Sequence, residues 1–201
     1  MRGIIVMAAL LAPALAAAEP NTAQAELLFR QGRAQMAAGK LAEACAAFEE
    51  SEQLAPAPTT LMNLGGCREK QGELATAWSL FLDAERATRT DPQLHGVAQQ
   101  LAAKLEPRVS PLTISVPPES RIAGLVIARG GQPVDAVLWN QPAPVDGGTY
   151  KIIARAGNAA WSTTITIARE GDAKVVHVPD IRPLSPDYVP DPAKRAVARS
   201  R

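Results

Sequence analysis

Apolar and small residues recur every three or four positions through the first half of the chain and every second position through the second half. In the first half Leu28, Phe29, Gly32 and Met36 share one face of a helix predicted over 25–38 and ended by Gly39. A second helix is predicted over 41–54 and is stopped by Ala55-Pro56-Ala57-Pro58. The pair then recurs. Thr59 or Thr60 is expected to cap a helix running through Lys70, Gly72 ends it, and a partner over 73–88 places Ala77, Trp78, Phe81 and Ala84 on one face. The hairpins match at a fixed 33-residue offset: Gly32/Gly65, Gly39/Gly72, Leu41/Leu74, Ala44/Ala77, Phe48/Phe81 and Ser51/Ala84. A period of about 34 residues marks stacked helical hairpins. Asp91-Pro92 then opens a helix predicted over 93–105, whose stripe of Leu94, Val97, Ala98, Leu101 and Leu105 is expected to cover the end of the stack; Pro107 and Pro111 forbid a further partner.

Past Val109 the period changes to two. Leu112, Ile114 and Val116 alternate with Thr113 and Ser115, and Trp161, Thr163, Ile165 and Ile167 alternate with Ser162, Thr164 and Thr166. Further strands are predicted over 125–128, 136–139, 150–155 and 174–178, separated by turns at Gly130-Gly131, Asp146-Gly147-Gly148, Gly157-Asn158 and Glu170-Gly171-Asp172. Six or seven short strands argue for a small antiparallel β-sandwich, with Trp139 and Trp161 in its core. The fold class is therefore α+β and multidomain: helical hairpins over 19–106, a β-domain over 110–181 and a proline-rich tail over 182–201.

The first eighteen residues belong to neither half. Arg2, an apolar run from Ile4 to Ala12 and an Ala-x-Ala exit before Glu19-Pro20 describe a secretory signal peptide, expected to be cleaved after Ala18; the run is too short to span a bilayer. The whole chain carries 21 basic and 20 acidic residues, so neither nucleic acid nor an acidic surface attracts it overall. The exception is the end, where Lys194, Arg195, Arg199 and Arg201 follow Pro183, Pro186, Pro190 and Pro192: a tether whose basic tip could touch an anionic envelope surface, or a frayed solvated terminus.

Export also changes the reading of the cysteines. Cys45 and Cys67 are the whole complement, and an oxidising compartment favours a disulfide between neighbouring helices, worth about 3 kcal/mol in the chain-entropy model. The alternative is two buried thiols acting as small hydrophobes. The sequence carries no nucleophile elbow, no His-Glu-x-x-His, no phosphate-binding glycine loop and no four-ligand metal set, and His95 and His177 stand in ordinary structural positions. No catalytic residue, metal site or cofactor is predicted, and the chain reads as a binding protein.

The repeated glycine, alanine, aromatic and small positions, with Asn63-Leu64-Gly65 and Leu54-Ala55-Pro56, resemble the tetratricopeptide repeat (TPR) family over residues 25–90. Gln35 and Arg68 stand where that family places an aromatic, so thinner packing is expected there. The resemblance implies a groove for a protein or peptide partner lined by the first helix of each hairpin. Here that face carries Glu26, Phe29, Arg33, Met36, Met62, Asn63, Gly66, Glu69 and Lys70. Residues 110–180 resemble the PEGA family of surface β-domains through Leu112-Thr113-Ile114-Ser115-Val116-Pro117-Pro118-Glu119, Val126 to Gly131, Gln141-Pro142 and Gly148-Thr149-Tyr150, although Ser120 replaces the family's glycine. Together the two resemblances imply a periplasmic or secreted scaffold at a bacterial cell envelope. In the alternative reading the β-domain binds cell-wall polysaccharide, with Tyr150, Tyr188, Trp139 and Trp161 as the only aromatic platforms and the repeats as a stalk.

Overall fold

The computed structural model describes residues 21–187. The predicted signal peptide, Tyr188 and the four basic residues of the tail lie outside them. Five helices come first: α1 Thr22–Ala37, α2 Leu41–Leu54, α3 Pro58–Gln71, α4 Leu74–Ala87 and α5 Pro92–Leu105. They alternate as the apolar spacing requires, and each packs on the next. The start of α3 differs from expectation: Thr59 and Thr60 both lie inside the helix, which begins at Pro58 because proline's fixed φ suits a first turn. The Glu52 carboxylate, held above its usual range by burial, accepts the Ala57 N–H ahead of that turn at 3.0 Å.

The offset seen in the sequence is an offset in packing. A Cβ on Gly32 would stand 2.8 Å from the Phe48 ring, and a Cβ on Gly65 would stand 2.5 Å from the Phe81 ring. In both hairpins the ring lies directly on the facing helix backbone, closer than any side chain permits. Ala44 and Ala77 are fully buried beside these rings, Ala84 is fully buried too, and Ser51 donates to the Ala25 carbonyl at 2.8 Å. From Gly65 one further step of 33 residues reaches Ala98 of α5, also fully buried. Cys45 on α2 is disulfide-bonded to Cys67 on α3, so a covalent bond ties the first hairpin to the second. Where an aromatic was missing, Arg68 fills the space with ion pairs to Glu49 and Glu73; burial works against its charge, and these partners outweigh burial and raise its pKa.

Seven strands follow: β1 Ser110–Ser115, β2 Val126–Arg129, β3 Gln132–Val134, β4 Pro142–Val145, β5 Gly148–Ala156, β6 Ala159–Ile167 and β7 Lys174–His177. They form a three-stranded sheet in the order β4-β1-β7 and a four-stranded sheet in the order β3-β2-β5-β6. One apolar cluster joins the two sheets, with Leu112 and Ile114 from β1, Val145 from β4 and Val176 from β7 meeting Ile127, Ile152, Ala154 and Ile167. The fold is thus α+β with its helices at the N-terminal side and two mostly antiparallel sheets after them.

The β-domain departs from the sequence-based expectations at three points. The sheets are not wholly antiparallel, because β7 returns beside β1 in the same direction, with Leu112 opposite Lys174 and Ser115 opposite His177. Residues 136–139 are not a strand: the Asp135 carboxylate accepts the Val137 N–H at 3.0 Å and turns the segment into a 3-10 turn, Ala136–Leu138. Trp139 and Trp161 are half-buried at the margin of the cluster rather than within it. Just past the turn, Asn140 adopts φ 63° and clamps the end of β1, accepting from the Val116 N–H and donating to the Val116 carbonyl.

Candidate functional site

The first-helix face predicted to bind a partner divides into residues used internally and residues left to solvent. Phe29 and Met36 pack on the cluster of Ala44, Cys45, Phe48, Leu64 and Cys67, and the Phe29 ring tilts against Phe48 with centroids 5.8 Å apart. Asn63 donates from Nδ2 to the Thr59 carbonyl one turn back, at 2.8 Å. Glu26 pairs with Arg30 on its own helix at 2.7 Å, where both are exposed and the pair adds little. Glu26 and Phe29 share an open cleft of about 140 Å³ with Thr22, Ala25, Thr59 and Thr60, between α1 and the start of α3. Arg33 and Lys70 are exposed, Met62 and Gly66 are half-buried, and the side chains of Arg33, Met62 and Lys70 have no ion pair or hydrogen bond within the described residues.

Glu69 is engaged across the seam between the two halves. It accepts from Arg108 Nη1 at 2.6 Å, while Arg108 Nε reaches Glu170 at 2.7 Å. Arg108 follows α5 and Glu170 lies in the turn between β6 and β7, so this bridge pins the strand half to the C-terminal end of α3. The Gly171 N–H donates to the Arg108 carbonyl at 2.9 Å and fixes the same turn. The two carboxylates hold the Arg108 guanidinium well above its ordinary pKa, and the bond from Arg108 lowers that of Glu170.

Beside this bridge the β4–β5 turn caps a helix of the other half. Asp146 Oδ1 accepts the N–H groups of Ala75 and Thr76 at 2.8 and 3.1 Å, and its Oδ2 accepts the Thr76 hydroxyl at 2.5 Å. These are first-turn donors of α4 that have no partner within the helix, and a carboxylate there also meets the positive end of the helix dipole. Gly147 is required next, since a Cβ would stand 2.6 Å from the Arg169 backbone. The Tyr150 hydroxyl donates to the Asp146 carbonyl at 2.8 Å, and burial followed by the nearby Asp146 charge raises its pKa. Asp146, Tyr150, Thr76, Ser79 and Arg129 line an open cleft of about 230 Å³ at the seam, with the Arg129 guanidinium 5.8 Å from the Tyr150 ring centre.

No family model, curated protein or solved structure matches the chain. The site therefore rests on its own geometry.

That geometry is of a surface and a joint. His95 Nδ1 lies 3.0 Å from the Glu85 carbonyl on the adjacent helix, and His177 ends β7. Among the described residues no cluster of three or more histidine, cysteine or acidic side chains is placed to hold a metal ion. Of the aromatics considered for sugar binding, the three among the described residues are half-buried: Tyr150 is held by Asp146 and Arg129, and Trp139 and Trp161 rest on the β cluster. The joint is not legible in the sequence. Its one local signal was an acidic residue leading the Asp146-Gly147-Gly148 turn, and nothing nearby names α4 as the partner. The disulfide fits an exported protein, and among the described residues no helix is long and apolar enough to cross a membrane.

Proposed function

We propose that the protein is an exported, non-enzymatic scaffold of the bacterial cell envelope, in which TPR-like hairpins hold a segment of a partner protein and a PEGA-like β-sandwich sets the position of that complex. The observation that carries this reading is the stripe of Arg33, Met62, Gly66 and Lys70. Two cations, one apolar side chain and one bare backbone position lie on the first helices of two hairpins and make no side-chain bonds within the described residues. The stack behind them is cross-linked by the Cys45–Cys67 disulfide, which lowers the ordering cost when a partner docks.

The joint supports the second part. Glu69, Arg108, Glu170 and Asp146 join the halves through charge-assisted bonds rather than through a free tether. A partner held on the helices is then carried at a set position relative to the β-domain. The absence of mechanism-bearing motifs in the sequence agrees with binding by shape.

The test is the triple variant Arg33→Ala/Met62→Ala/Lys70→Ala, with Phe29 left intact because it packs on Phe48. Affinity capture from periplasmic extract should lose the partners retained by the unaltered chain, while far-ultraviolet circular dichroism stays the same. Unchanged capture by a folded triple variant rejects the groove.

A further inference from the structure

Of the four strands that end the two sheets, three are blunted. β3 has three residues and contains Pro133, β4 has four and contains Pro142 and Pro144, and β7 has four and opens on Lys174. Short length, proline and lysine are the usual means by which sheets avoid pairing with other chains. The fourth edge, β6, has none of them. Its nine residues, Ala-Ala-Trp-Ser-Thr-Thr-Ile-Thr-Ile, hold no charge, no glycine and no proline, and they favour extended pairing.

The register shows which backbone groups this edge offers. The Gly130 N–H donates to the Lys151 carbonyl, so Lys151 of β5 is turned toward β2. Alternation then turns Tyr150 and Ile152 toward β6, where they stand opposite Ile165 and Thr163. Ser162, Thr164 and Thr166 are therefore left with N–H and C=O groups directed away from the sheet. Their side chains are exposed on the outer face, while Trp161 and Ile165 lean on the core. The 3-10 turn Arg182–Leu184 packs beside β6 and Asn158 bonds Asp187 where the strand begins, but along its middle β6 borders an open cleft of about 250 Å³. Trp161, Thr163 and Ile165 line one side of that cleft and Val175 and His177 the other.

We infer that this edge is a self-association surface, on which a second copy of the chain pairs β6 with β6 antiparallel about a two-fold axis at Thr164. That axis sets Thr164 opposite Thr164 and Ser162 opposite Thr166 on the outer face. The same hydroxyl pairing already occurs within the sheet, where Thr149 and Thr166 approach to 3.0 Å. On the core side it sets Trp161 opposite Ile167 of the second copy, an aromatic and β-branched pair of the kind that stabilises neighbouring strands. An uncharged strand meets its own copy without repulsion, and the edge offers no charge by which to select a different chain. The two-fold closes after one pairing, so the result is a dimer with a continuous eight-stranded sheet.

The experiment is sedimentation velocity on the full chain from low to high micromolar concentration, with Thr164→Pro and Thr164→Lys beside it. Proline removes an edge-facing N–H and leaves the β5 ladder intact, and lysine places two like charges at the axis. The unaltered chain should pass from monomer to dimer. Each variant should weaken the dimer by more than about tenfold, with the circular dichroism spectrum and disulfide unchanged. Should Thr164→Pro fail to fold, Thr164→Lys decides alone. A chain that stays monomeric, which would leave the edge for some other molecule, overturns the inference. So does a dimer that both variants leave intact, or growth into open-ended polymers.

Discussion

The two helical hairpins are built on the same positions, yet one stands free and the other carries the strand half. At the base of the first, α2 begins after Lys40 with no side-chain cap, and Gly39 has open space around it. At the equivalent base of the second, Asp146 caps α4, Glu69 binds Arg108, and a Cβ on Gly72 would meet the Arg169 side chain at 3.2 Å. Met36 packs inward where Glu69, its counterpart 33 residues on, reaches across the seam. Duplication thus supplies two equal packing units, and a few polar substitutions turn one of them into a mount. The candidate face narrows in consequence, since Glu69 bonds across the seam and, of the residues on that face, Arg33, Met62, Gly66 and Lys70 have no side-chain bond or core packing within the described residues.

The strongest way to break this comparison is to cut the covalent tie between the hairpins. Cys45→Ala/Cys67→Ala should cost about 3 kcal/mol, read as a lower urea midpoint, because the bond closes a loop of 22 residues. Next in size, Gly32→Ala and Gly65→Ala should each cost about 1–3 kcal/mol through the clash with Phe48 or Phe81. Similar losses in chemical denaturation establish equivalent contacts, and a large loss at one site with none at the other would break the equivalence.

Asp146→Ala sharpens the contrast between the bases. It should cost about 1–2 kcal/mol and speed hydrogen exchange in the first turn of α4 while leaving α2 unchanged. The smallest effect belongs to Glu170→Gln. The bond from Arg108 lowers the folded-state pKa of Glu170 below its usual 4.5. Its contribution to folding is therefore complete above that value and is lost as pH falls through the lower, folded one. The variant should flatten the acid-side fall in thermal midpoint, and an unchanged pH profile would remove Glu170 from the joint.

How much was legible in the sequence follows from how far apart the interacting residues are. The Gly32–Phe48 contact joins neighbouring helices, repeats at a fixed offset and uses residue types with few other uses, so the hairpins were readable. The bond between Ala75 and Asp146 spans 71 positions, and an aspartate before two glycines equally describes an ordinary turn. Proline concealed β3 and β4, since a proline within a run argues against a strand unless that strand lies at an edge. Ala136-Val137-Leu138-Trp139 has strand-like composition, and only the capture of the Val137 N–H by Asp135 makes it a turn. The candidate face was legible as a set of positions, but the loss of Glu69 to the joint depended on an arginine 39 residues further on.

A scaffold role requires the face of α1 and α3 to hold a partner. A photo-reactive amino acid at Met62, used in intact cells beside one at exposed Ala46 on α2, measures this directly. Discrete cross-linked species from position 62 and none from position 46 are the predicted result. Equal labelling at both positions, or none at 62, contradicts it.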